Sequence, residues 1–440
     1  MSQEGNSGGS CAEREIPFSM LSLSAAAILI GRTPTCSFGL VGDPAAVLHS
    51  PKTGRGNRRM RIAIYHNNLW AKQKGVVFSH VYELAKSRGV DASFIQIAET
   101  EIGRVGLSEI DLSYHQYPFR LLFRGAYENV SRVHRVIRVV KDILSHPSDL
   151  AVMPGYHLIE YWAMLLTLMV LNRKRAVFCD STDFDQPRSR LKDPLKDLAK
   201  RVFFRRCHGY FCYGIRSKEY LLKYGVQESK IIYRYQAAAL PPGYNSSDVL
   251  ARYEASPTIV GHRFLYVGRL SAEKGLWDLL NAFAELRRQR TDVSLDLVGT
   301  GPLRAQLLER VKQLELEECV SFLGARNIAE ISPLFYASTA LILPSHSEPW
   351  GLVVNEALSF GCPVVVSDVC GCVPALVVEG VTGYSFRKAD VAGLTRAMNA
   401  VIVLAADRVA AAERCLDGIS AFTPQRVAAQ ILDGCEQIVG

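Results

Sequence analysis

The stretch Ala340-Leu341-Ile342-Leu343-Pro344-Ser345-His346-Ser347-Glu348-Pro349-Trp350-Gly351-Leu352-Val353-Val354-Asn355-Glu356-Ala357 decides how this chain folds. Its first four residues are a short apolar run that reads as a buried strand, and Pro344, with no N–H to give to a ladder, ends it. After a polar loop the spacing turns helical near Gly351. The helix stops at Gly361, with Pro363 just beyond, and a second apolar strand follows. Strand, loop, helix and strand in this order make a unit of a parallel sheet, because each element can bury its apolar face only against its neighbours.

The same rhythm extends in both directions. Upstream, strands are expected at 61–65, 91–97, 149–153, 175–180, 208–213 and 229–233, with helices at 76–87, 126–144, 157–172 and 188–206. The pattern breaks at Pro241-Pro242-Gly243, Asn245-Ser246-Ser247 and Ser256-Pro257, an interior linker signal. A second series then has strands at 264–268, 294–299, 319–323, 340–344 and 363–367, and an amphipathic helix over 423–438 closes the chain. The predicted fold class is therefore α/β, with two Rossmann-like, doubly wound parallel-sheet domains facing across a cleft. The expected boundaries are 60–240 for the first domain, 241–258 for the linker and 259–420 for the second domain. The helix at 421–440 is expected to pack back on the first domain. Residues 1–59 are rich in Gly, Ser, Ala and Pro without a period and are expected to be a disordered extension. Their apolar run at 18–30 is shorter than the roughly 20 residues a spanning helix needs, and Glu13, Arg14 and Glu15 precede it where a signal peptide has a positive flank.

Composition narrows the class. An apolar share of 48% in 440 residues suffices for two cores. The formal net charge is +8, and the excess lies in residues 60–240, with 28 Lys and Arg against 17 Asp and Glu. No nucleic-acid module accompanies it, so a phosphate-bearing acceptor or a membrane surface is expected and nucleic acid is not. Eleven cysteines, several in apolar runs (Cys179, Cys212, Cys319), have no metal spacing and read as reduced thiols, which points to the cytoplasm.

The chemical case sits at the carboxyl ends of the second-domain strands. Gly268-Arg269-Leu270-Ser271-Ala272-Glu273-Lys274-Gly275 puts Arg269 and Lys274 on one short loop, as charge-assisted binding of a diphosphate requires. Glu348 lies on the loop before the 351–361 helix, and Glu356 about a turn and a half inside it. The N–H groups of Gly351, Leu352 and Val353 at the helix start form an anion site between them. Two carboxylates that accept hydroxyl hydrogen bonds beside a phosphate-binding helix end suit a sugar–diphosphate–ribose ligand. Each feature alone also has an ordinary reading: a solvated basic loop, a first-turn acid, an exposed helical glutamate.

The runs GRLSAEKG (268–275), VGTGP (298–302), VSFLG (320–324), EPWGLVVNE (348–356), GCPVVVSDV (361–369) and EGVTGY (379–384) resemble glycosyltransferase family 4, retaining enzymes of the GT-B fold. The resemblance is strong over 262–400 and diffuse over 60–240. It implies that Arg269 and Lys274 grip the donor diphosphate, the backbone of Gly351–Val353 holds the distal phosphate, Glu356 binds the ribose and Glu348 the transferred sugar. It also makes 259–420 the nucleotide-sugar-binding domain and 60–240 the acceptor-binding domain, and implies transfer with retention, without a metal or other cofactor. The basic charge of 60–240 leads us to expect a glycan or lipid-linked glycan acceptor. The first loop, His66 to Gly75, departs from the family's paired glycines and offers Gly75 alone to the donor phosphate. His157, after the strand at 149–153, is the candidate for sugar contact or a structural histidine. Asp183 and Asp185 are candidates for acceptor hydroxyls.

The segment 188–206 carries eight Lys and Arg among apolar residues. It reads as a basic amphipathic helix, either a solvated outer helix or a peripheral membrane contact on the cytoplasmic face. The apolar run 161–171 reads as a buried core helix. A phosphorylase or nucleotide-sugar epimerase on the same fold, and a non-catalytic nucleotide-sugar-binding subunit, are the alternative functions.

Overall fold

The computed structural model describes residues 59–440, except 103–109, 185–192, 257 and 259. The expected extension over 1–59 therefore lies, but for Arg59, outside the described residues.

The first domain runs β1 (Arg61–Asn68), α1 (Lys72–Ser87), β2 (Asp91–Ala98), β3 (Phe119–Leu121), α2 (Arg132–Ser145), β4 (Leu150–Met153), α3 (Ile159–Val170), β5 (Lys174–Cys179), α4 (Asp193–Arg205), β6 (Gly209–Cys212), α5 (Ile215–Lys223) and β7 (Ile231–Tyr233). Its strands form one parallel sheet in the order β3-β2-β1-β4-β5-β6-β7. After α6 (Ser246–Ala255) the second domain runs β8 (His262–Val267), α7 (Leu276–Gln289), β9 (Val293–Val298), α8 (Arg304–Gln313), β10 (Val320–Gly324), α9 (Ile328–Ala337), β11 (Ala340–Leu343), α10 (Leu352–Ser359), β12 (Val364–Ser367), α11 (Val373–Leu376), β13 (Gly383–Phe386), α12 (Val391–Leu404) and α13 (Arg408–Ile419). Its parallel sheet has the order β10-β9-β8-β11-β12-β13. The central β11 and β12 are buried throughout, as a strand covered on both faces must be.

In each sheet the chain order reverses beside the first strand, between β1 and β4 and between β8 and β11. At such a switch point the loops leave in opposite directions and open a crevice beyond the strand ends. The loops that flank the two crevices are those after β1, β4, β8 and β11; the last three carry His157, Arg269, Lys274, Glu348 and Gly351, and Leu352, Val353 and Glu356 lie on the helix that follows β11.

Three sequence expectations need correction. The linker region is partly helical: Asn245 caps α6 by accepting from Ser247 N at 3.0 Å, and α6 buries Val249 and Tyr253. The Tyr253 hydroxyl donates to Phe360 O at 3.0 Å, fixing α6 to the second domain. The apolar helix α3 is buried along Glu160, Tyr161, Met164, Leu165 and Leu168, while Leu166 and Val170 are exposed. The sequence reading passed over β3 and β13, short edge strands of three and four residues with partly exposed side chains.

The last helix, α14 (Pro424–Val439), lies on the first sheet beside α1. Val427, Ile431, Leu432 and Cys435 share a core with Ile62, Ile64 and Phe211, and Arg88, at the C-cap of α1, pairs with Asp433 and Glu436 at 2.6 and 2.8 Å. Among the described residues no cysteine forms a disulfide, all but Cys319 are buried, and no helix is long and apolar enough to cross a membrane.

Candidate active site

In the second domain the loop after β8 is bonded into the turn after β9. Leu270 N donates to Thr300 O at 2.9 Å and Leu303 N to Leu270 O at 2.9 Å. The loop ends on Gly275 with φ +66°, where a Cβ would stand 2.0 Å from Pro344 O. Only glycine allows that backbone conformation and that approach, so Gly275 brings Lys274 against the loop after β11. His346 secures the junction: its N–H donates to Glu273 O at 2.8 Å and its Nε2 lies 2.6 Å from Asp278 Oδ2 on α7.

Lys274 and Glu348 consequently form a direct ion pair, with side chains only 15% and 17% exposed. Arg269 is mostly exposed and reaches Glu273 Oε1 at 3.0 Å, while Ser271 Oγ donates to the same oxygen at 2.6 Å. Glu348, Glu273 and Arg269 all act electrostatically on the buried Tyr266 hydroxyl, which donates to Arg269 O at 2.7 Å. The two cations and Glu348 are thus gathered at one place.

Gly351, at φ +98°, is the left-handed residue from which α10 begins. The N–H groups of Gly351, Leu352 and Val353 meet no acceptor among the described residues, so the positive end of α10 is available to an anion. Glu356 sits four residues into α10. It is partly buried, and no hydrogen bond or ion pair engages its carboxyl among the described residues. Burial pushes its pKa up from 4.5 to about 7. An acid held in this way, with nothing to bond, is suited to accept hydroxyl groups from a ligand.

Two residues of this segment that the sequence reading left without a role align it with the first domain. Trp350 Nε1 donates to Asn355 Oδ1 at 2.7 Å, and Asn355 Nδ2 donates to Gln236 O at 2.9 Å. Trp350 also packs on Gly214, and Arg216 donates to Asp368 O at 2.9 Å. The carboxyl-end loops of the two sheets therefore meet at this seam. A tryptophan and an asparagine set five residues apart between two glutamates were the available signal.

In the first domain, α1 begins earlier than expected, so Gly75 is helical and not a loop residue. Its N–H donates to Ala71 O at 3.1 Å, and a Cβ there would stand 2.9 Å from the His115 ring. The structure thus gives Gly75 a packing use. Lys74 is buried instead and donates to the Tyr213 hydroxyl at 2.9 Å and Gln236 Oε1 at 3.1 Å. Burial and the neighbouring Arg234 hold its pKa well below the usual lysine range. Arg234 is 1% exposed, lies over the Phe178 and Tyr213 rings, and leaves Nε and Nη2 without a hydrogen-bond partner. Burial and these cations push His66 down to about 3.

His157 follows β4 and keeps solvent access beside Tyr156 and Tyr161; desolvation lowers its pKa, opposed by Asp180. Asp183 pairs with Lys223, and Asp185 lies outside the described residues. Among the described residues no group of three His, Cys, Asp or Glu is arranged to hold a metal ion.

Residues 261–414, about a third of the chain, match the family Glycosyl transferases group 1. The chain is 38% identical over 150 residues to glycogen synthase of Mycobacterium tuberculosis, covering 34% of this chain and 35% of that protein. It thus spans about a third of the length of that curated relative. The structure of Anabaena HepE in complex with UDP and glucose superposes with a TM-score of 0.63 at 19% identity, over 86% of this chain and all of the other. Sucrose-phosphate synthase from Thermosynechococcus elongatus superposes with a TM-score of 0.65 at 18% identity, over 86% and 99%. At these identities the likeness is one of fold: two Rossmann-like domains in the GT-B arrangement.

Proposed function

We propose that this chain is a retaining glycosyltransferase that moves a hexosyl group from a nucleotide-diphosphate sugar to a hydroxyl of a glycan acceptor. The reading extends to lipid-linked oligosaccharide or cell-surface polysaccharide as the product class, and to work at the cytoplasmic face of the membrane without a metal. The observation that carries it is the pairing of an unengaged, desolvated Glu356 with a helix start whose N–H groups are free and which Lys274 and Glu348 flank. The group 1 match over 261–414 and the UDP and glucose held by Anabaena HepE support the same donor class.

In this reading the donor diphosphate lies between Arg269, Lys274 and the start of α10, and Glu356 accepts the ribose hydroxyls. Glu348 bonds the transferred sugar, with His157 meeting that sugar from the first domain. The bond between the sugar's anomeric carbon and the diphosphate oxygen breaks, and the acceptor oxygen bonds to the same face. The hydroxyl proton passes to the departing diphosphate oxygen. Stabilising that oxygen's growing charge is the main protein contribution.

The test is a thermal-shift panel of nucleoside diphosphates and their sugars, with and without magnesium. A ligand stabilises by RT ln(1 + [L]/Kd), so one nucleotide class should raise the midpoint equally in both. Product anomers are then assigned by NMR. A turnover that consumes free phosphate and no nucleotide sugar would make the chain a phosphorylase instead.

A further inference from the structure

Helices α2, α3 and α4 lie side by side on one face of the first sheet. Arg135 Nε on α2 pairs with Glu160 Oε1 on α3 at 2.8 Å, and Trp162 on α3 meets Phe203 on α4 edge-on with centroids 5.2 Å apart. The sides turned away from the sheet are apolar to an unusual degree. Ile137 and Leu144 on α2, Leu166 and Val170 on α3, and Leu195 and Leu198 on α4 are each more than half exposed. Single exposed aliphatics are ordinary, but a patch shared by three neighbouring helices is the mark of an interaction surface.

Its charge is one-sided. Arg138, Lys141, Lys196 and Arg205 are exposed among these aliphatics. Of the acids on these helices whose side chains are described, Asp142 is buried against Arg120 and Glu160 against Arg135, while the partly exposed Asp197 takes the Tyr224 hydroxyl at 2.7 Å and lies 3.8 Å from Lys200. We propose that this face docks on an anionic lipid bilayer, its aliphatic side chains entering the boundary between headgroups and acyl chains and its cations meeting lipid phosphates. The chemistry selects this occupant. A second copy would set like charge against like charge. A nucleic acid would leave the aliphatics in water and calls for stacking aromatics that the outer side does not offer. The face also ends where it is useful, since Ile159, the first residue of α3 and itself exposed, follows His157 by two residues. In this respect the proposal rests on the glycosyltransferase reading: a lipid-anchored acceptor would meet the sugar-contacting end of the site without leaving the membrane.

The experiment is flotation of the full chain with vesicles of phosphatidylcholine, with and without phosphatidylglycerol. Two variants accompany it, Leu166→Ser/Leu198→Ser and Arg138→Glu/Lys141→Glu/Lys196→Glu, each checked for an unchanged circular dichroism spectrum and an unchanged nucleotide-sugar thermal shift. The parent is expected to float with the anionic vesicles only, less so as salt is raised. Each variant should lose at least about tenfold in partitioning. Equal flotation on neutral lipid, no flotation, or variants that bind like the parent would overturn the proposal. So would sedimentation showing a dimer that Leu166→Ser/Leu198→Ser dissolves, which would make the face an interface between copies. Because flotation needs no turnover, its failure and failure of the proposed activity are read separately.

Discussion

Replacing Glu356 by glutamine should make the ligand-free protein more stable at alkaline pH while weakening its grip on the donor. Burial holds the Glu356 pKa at about 7 instead of 4.5. Between those values the folded chain keeps a proton that the unfolded chain has released, so stability falls as pH rises through this window and levels off above it. Each pKa unit corresponds to about 1.4 kcal/mol, which puts the full cost of ionising Glu356 at about 3 kcal/mol, with residual solvent access reducing it. Glutamine has no charge to bury. Glu356→Gln should match the parent near pH 4.5 and exceed it by about 1–3 kcal/mol at pH 8. Urea unfolding at the two pH values measures this, provided the slope with denaturant is unchanged. Glu356→Ala gives up a charge-assisted bond worth about 1.5–3 kcal/mol, so its turnover of the donor should fall about 10- to 150-fold, and Glu356→Gln, which still accepts through Oε1, should lose part of that. A variant that is no more stable than the parent at pH 8, or that turns over the donor as well, would refute the reasoning at the corresponding step.

Three further outcomes follow from the geometry. Lys274→Met removes the partner of the partly buried Glu348 and a cation for the diphosphate, so nucleoside diphosphate affinity should drop about 10- to 100-fold, read by titration calorimetry, with a loss of about 1 kcal/mol in stability. Gly275→Ala requires a left-handed alanine whose Cβ overlaps Pro344 O; unfolding should show a loss of about 2–4 kcal/mol. Arg234→Met replaces a buried guanidinium that lacks full hydrogen bonding, and the ligand-free protein should gain about 1 kcal/mol or more in thermal unfolding, because the lost charge was not repaid by partners.

Much of the fold was legible because burial on both faces leaves a plain trace. Strands such as 340–343 are continuous apolar runs, and their alternation with helical periods admits little besides parallel sheets. What escaped was weakly patterned: β3 and β13 are short edges, and α6 was hidden in a stretch whose Asn245-Ser246-Ser247 spells a helix cap as readily as a linker. The bonded turn between Leu270 and Thr300 also has no local signature, since its partners lie thirty residues apart.

By itself the sequence determined the residue types and their spacing: two acids eight positions apart around a helix start, and two cations on one loop. Those are local facts, fixed by strand ends and helical pitch. Tertiary structure alone decided which groups became partners and which were left free. It set Lys274 on Glu348, left Glu356 desolvated without a bond, moved Gly75 into a helix, buried Lys74 beside Arg234, and turned the apolar sides of α2, α3 and α4 outward together. Such outcomes depend on contacts between distant segments, and solvent exclusion, which raises the pKa of Glu356, exists only once the chain has folded.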